Sequence, residues 1–164
     1  MKTKFLGPLG LSAAFVMAVP QLLPAAEPHH HEHAPAAGTE TTGLTLNQGK
    51  KWATDQALRE SMAELRAAFA ASLHQIHAGA LPPQQYKALS DKITTQLARI
   101  VAECKLPAQA DAVLHILLSE LAEAAKGMQG GTAAETQAAA QKAIKALNDY
   151  GRYFDHPKWH DLKH

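Results

Sequence analysis

His29, His30, His31 and His33, with Glu32 among them, form the densest set of metal-ligand side chains in the sequence. Neutral imidazole is the commonest protein ligand for zinc, copper and nickel, and a histidine-rich tract is a composition that gathers such ions. The tract is expected to bind several metals with modest selectivity, since nothing rigid imposes a geometry on it. Cleavage after Ala26 would make His29 the third residue, where an imidazole, the free amine and two backbone nitrogens can wrap copper or nickel. Pro28 spoils that arrangement, having no N–H to lose. The competing reading is a polar tail that is incidental or merely pH-sensitive.

Other candidate ligands lie farther along. His74 and His77 are three apart near the end of a helical segment, so they share a surface. Two ligands fall short of the four of a structural zinc site, which favours solvated surface histidines. His115 stands one turn after Asp111, close enough for a surface hydrogen bond or a weak metal clip. Cys104 falls on an inward stripe near a helix end. In an antiparallel bundle, Met62, Cys104, His156 and His160 would collect at one pole, a sulfur and imidazole set suited to Cu(I). A buried cysteine more often acts as a small apolar filler, and that packing role is the first expectation. Met62 and His156 are also an axial pair that could hold haem. Pro157 follows His156 directly and makes rigid ligation poor there, so haem is the weakest of these readings.

These residues must be positioned by helices. Leu58, Met62, Leu65, Phe69, Leu73 and Ile76 recur at spacings of three and four, which predicts a helix over about 54–78, capped by Thr54 or Asp55 and closed by Gly79. Tyr86, Leu89, Ile93, Leu97, Ile100 and Cys104 repeat the pattern in a second helix over about 83–103. A third begins at Pro107 with the stripe Val113, Leu114, Leu117, Leu121 and Met128, and ends in Gly127, Gly130 and Gly131. The fourth spans about 133–153, with Ala140, Ile144, Leu147 and Phe154 facing inward. Four similar helices joined by short turns predict an all-α, up-down-up-down four-helix bundle over 44–164. Trp52 before the first helix and Tyr150, Tyr153, Phe154 and Trp159 at the other terminus are expected to clamp the chain ends together.

Upstream, the composition shifts twice. Residues 27–43 are rich in Pro, Ala, Gly and Thr and contain nothing to build a core, so a disordered His-rich tail is expected. Residues 1–26 resemble a cleaved secretory signal. Lys2 and Lys4 are followed by an apolar stretch broken by Gly7, Pro8 and Gly10, with Ala25 and Ala26 offering a cleavage site. The compartment expected is the periplasm. Loss of that segment removes two lysines and no acid from a chain of sixteen basic and fifteen acidic residues, leaving about −1.

Composition excludes several classes. No basic block offers a nucleic-acid surface, and no contact with a membrane is expected beyond the export signal. A single cysteine rules out an internal disulfide framework and the Cys-x-x-Cys-His haem attachment. No Gly-x-Ser-x-Gly elbow, His-Glu-x-x-His helix or glycine-rich phosphate loop is present, so no enzymatic activity is expected.

Three stretches carry a resemblance: Gly49-Lys50-Lys51-Trp52-Ala53-Thr54-Asp55 leading to Leu58-Arg59 and Met62; Cys104-Lys105-Leu106 leading to Ala110-Asp111-Ala112 and Leu114-His115; and Tyr153-Phe154-Asp155-His156-Pro157-Lys158-Trp159. Over about residues 44–160 the chain resembles poorly characterised proteobacterial periplasmic four-helix proteins, some labelled DnrO-like. The resemblance implies an architecture and a compartment, and no activity. The functional expectation is therefore a periplasmic protein that buffers or delivers copper, zinc or nickel. A structural bundle whose surface is read by a periplasmic protein partner is the alternative, and a b-type haem protein the third reading.

Overall fold

The computed structural model describes residues 43–163; residues 1–42, with the expected signal and the histidine tract, and His164 lie outside the described residues. Four helices account for most of the described chain: α1 (Gln56–His77), α2 (Pro83–Glu103), α3 (Ala108–Met128) and α4 (Ala133–Tyr153). The described residues form no strand, only isolated bridges between Asn47 and Lys50 and between Trp52 and Phe154. None of the helices is long and apolar enough to cross a membrane.

Local chemistry sets the helix ends. Asp55 caps α1 by accepting the Leu58 N–H at 2.8 Å, so the helix starts two residues later than its periodicity suggests. Gly79 closes that helix at φ +65°, a conformation its neighbours with side chains would resist. Proline stands at the first position of α2 and at the N-cap of α3, where its missing N–H costs no helical hydrogen bond. α4 begins with a capping box in which Thr132 and Glu135 satisfy each other's backbone N–H groups.

Each helix packs on the next along the chain, and α1 also packs against α4. The α3–α4 contact is the closest, because it is made of small residues. A Cβ added to Gly127 would come within 2.8 Å of Ala139 Cβ, and Ala124, Ala125, Ala143 and Ala146 are all buried. Leu58, Met62, Leu65, Phe69, Ile93, Leu117, Leu121 and Leu147 are fully buried at the centre. On α2 the expected stripe is displaced at one position: Gln96 is buried and Leu97 only half-buried. Gln96 is retained there because its Nε2 donates to Glu64 Oε2 at 2.8 Å.

The two chain ends close one pole. Trp52 donates its N–H to the Tyr153 carbonyl and accepts the Asp155 N–H, both at 2.8 Å, which ties the segment before α1 to the exit of α4. The chain after α4 then runs back as a strap. Asn148 holds it through both Leu162 backbone groups, and the Arg66 guanidinium donates to the His160 carbonyl. Trp159 lies on Gly151 with its ring 4.8 Å from that of Tyr150 and nearly at right angles to it.

Candidate functional site

The pole closed by the chain ends carries most of the groups with chemistry in the described residues. Asp55 is its hub. Its second carboxylate oxygen accepts the Lys105 N–H at 2.6 Å, joining the start of α1 to the turn after α2. Burial works against the charge on Asp55. Hydrogen bonds from the Lys105 and Leu58 backbones, the Cys104 thiol and the Arg59 charge outweigh it and hold this carboxyl below its usual range.

Cys104 sits at the C-cap of α2, half-buried, with its N–H bonded to the Ile100 carbonyl. Burial pushes its thiol up to about 12, aided by the Asp55 carboxylate beside it. A thiol held neutral is a weak nucleophile and a weak metal ligand, since both roles belong to the thiolate.

His156 lies across the same pole, 3.0 Å by Nδ1 from the Tyr150 hydroxyl. Tyr150 is fully buried, and that burial pushes its phenol far above the usual range, so the hydroxyl keeps its proton in its hydrogen bond with the ring nitrogen. His156 itself is pushed down, first by burial and then by the Arg59 charge, with Asp155 opposing. A histidine lowered in this way favours folding in its neutral form. Its contribution is complete above about pH 6.5 and is lost as pH falls through the lowered value. The melting temperature is accordingly expected to fall as pH drops below about 6.5, and a His156→Gln variant to show a flatter acid limb. Parallel profiles would mean that other groups carry the acid sensitivity.

The remaining candidates are dispersed. Met62 is fully buried in the core, and His160 is exposed on the strap, where its carbonyl accepts from Arg66. His74 is exposed near the end of α1, and the neighbouring His77 is half-buried. His115 contacts Asp111 on the surface of α3, with Nδ1 3.0 Å from the backbone carbonyl and 3.5 Å from the carboxylate. Among the described residues, no three His, Cys, Asp or Glu side chains gather where they could hold a metal ion. Cys104 and His156 do share a pole, as the sequence suggests. Each has its own partner there, Asp55 for one and Tyr150 for the other, and the sequence offers Asp55 only as a helix cap and Tyr150 only as a packing residue, with no site role for Arg59. His29, His30, His31 and His33 lie outside the described residues.

No family model matches the chain, no curated protein is detectably similar to it, and no solved structure matches it.

Proposed function

We propose that this chain is an exported periplasmic protein that binds copper, zinc or nickel through the tract His29–His33, with an up-down-up-down bundle as its scaffold. The observation that carries the reading is the density of ligands: four of the chain's ten histidines and one glutamate within five consecutive residues. The dispersal of the bundle's own histidines supports it, since the domain offers no competing cluster among the described residues. Several imidazoles in a short run bind and release divalent ions readily, which suits buffering or handover better than permanent storage.

Deletion of residues 27–43 tests this directly. It removes four histidines and none of the core residues of α1 to α4. Copper or nickel uptake, measured by calorimetry on the untagged mature protein, is expected to lose most of its stoichiometry. The helical signal and apo melting temperature should hardly change. Uptake by the intact protein should weaken sharply below about pH 6, where imidazoles protonate. Unchanged stoichiometry and affinity in the truncated protein would overturn the reading and turn attention to His156 and His160.

A further inference from the structure

The chain after α4 turns at His156-Pro157-Lys158-Trp159, where the Trp159 N–H donates to the His156 carbonyl at 3.1 Å. Proline stands at the second position of this turn and Lys158 at the third, with φ +63°. That is the pattern of a type II turn, whose third residue is ordinarily glycine because a side chain resists a positive φ. Lysine there is strained, and extension of the connection would relieve it.

Beyond this turn the strap is held by side chains of the bundle and not by secondary structure. Asn148 bonds both backbone groups of Leu162, the Arg66 guanidinium donates to the His160 carbonyl, and Trp159 lies on the bare backbone of Gly151. The indole N–H is buried there without a partner, a second cost of the closed arrangement. Asp155, on the near side of the turn, is fixed separately by its bonds to Trp52 and Thr54. The turn is therefore a strained hinge, with the bundle on one side and a strap in a fitted seat on the other.

We infer that the strap is an exchangeable arm: residues 158–163 of one copy seat on Gly151, Arg66 and Asn148 of a second copy, and the reverse, giving a two-fold dimer. The same residues remake every contact of the seat across the dimer, so the exchange loses none of them. Opening the turn also relieves Lys158 in both copies, and a short hinge under strain favours such an exchange. The occupant is a second copy because the seat is shaped to this strap, down to the missing Cβ at Gly151 under the indole. Pro157 keeps His156 out of the helical region, so α4 cannot lengthen to take up the hinge. Two extended hinge residues span about 7 Å, which requires the copies to meet at this pole. The dimer is independent of the metal tract.

Sedimentation equilibrium of the untagged mature protein, from micromolar to millimolar, is expected to show a dimer that grows with concentration. Lys158→Gly should weaken that dimer about tenfold or more, since glycine removes the strain from both closed hinges. The sharper test mixes two variants, Trp159→Ala and Gly151→Ala. In each alone, strap and seat are mismatched. In a mixed dimer the intact indole meets the intact Gly151, and the two substituted positions meet each other. Native mass spectrometry of the mixture should therefore show a heterodimer in excess of both homodimers. If Gly151→Ala does not fold, Asn148→Ala takes its place as the seat variant, and its intact strap still matches the intact seat of Trp159→Ala. The inference is overturned by a wild type that stays monomeric at millimolar concentration or by a mixture with no excess of heterodimer. It is equally overturned by a dimer that Lys158→Gly leaves unchanged, which would be a side-by-side contact of two bundles.

Discussion

Replacement of Gly151 by alanine is expected to destabilise the domain by about 1–3 kcal/mol, although alanine is the better helix former by about 1 kcal/mol. Gly151 lies in the last turn of α4, and a Cβ there would overlap Cδ1 and Nε1 of Trp159. The indole cannot yield easily. Tyr150 packs against it at 4.8 Å, His156 stands 5.0 Å away, and the Arg66 guanidinium lies 5.9 Å from its centre. An added methyl group must therefore displace the ring and with it the strap that closes the pole. Thermal melts should show a drop of roughly 3–15 °C for a domain of this size. Trp159→Ala supplies the control. With the indole gone the three atoms nearest to the methyl group are removed, and Gly151→Ala should then stabilise by up to about 1 kcal/mol through helix propensity. The sign reversal is the decisive result. Additive effects of the two substitutions would show that Trp159 does not rest on Gly151 in solution.

That contact also shows where sequence reasoning stops. Gly151 reads as a mild defect near the end of a helix, and nothing local to it announces a tryptophan eight residues later. The spacing of Leu58, Met62, Leu65 and Phe69 reveals a buried face because the period of a helix is fixed by its own backbone. The rotation of one helix against another is fixed by packing, and no short-range pattern records it. Hence the helices of this chain are legible in its sequence to within two residues at their ends, while the exchange of Gln96 for Leu97 at the edge of the α2 face is not. The same limit applies to the pole. Cys104 and His156 can be placed there from topology, but their pairing with Asp55 and Tyr150 depends on side-chain directions across three elements. Asp55 is legible as a cap. Its second hydrogen bond, to a backbone fifty residues away, is not.

The environment of Cys104 leads to a kinetic expectation. With its thiol pushed from an ordinary 9.0 up to about 12, the folded protein at pH 8 holds about a thousandfold less thiolate than the unfolded chain. A more basic thiolate is also a better nucleophile, with a Brønsted slope of about 0.4–0.5, so roughly half of that factor on a logarithmic scale is recovered. Labelling by iodoacetamide is expected to be about 40-fold slower in the native protein than in denaturant, before any steric shielding is added. Steric shielding alone would be a poor explanation, because Cys104 is only half-buried. Asp55→Asn separates the two causes. Asparagine caps a helix as well as aspartate does, so α1 should persist, although its single oxygen cannot also accept the Lys105 N–H; a melt of the variant measures that loss. The negative charge beside the sulfur is gone, and native labelling should accelerate several-fold while the denatured rate stays fixed. A native rate equal to the denatured one would mean that the thiol is neither buried nor held neutral by Asp55. Protection of a fast-reacting Cys104 by Cu(I) would then restore the pole as a metal centre, in place of the tract His29–His33.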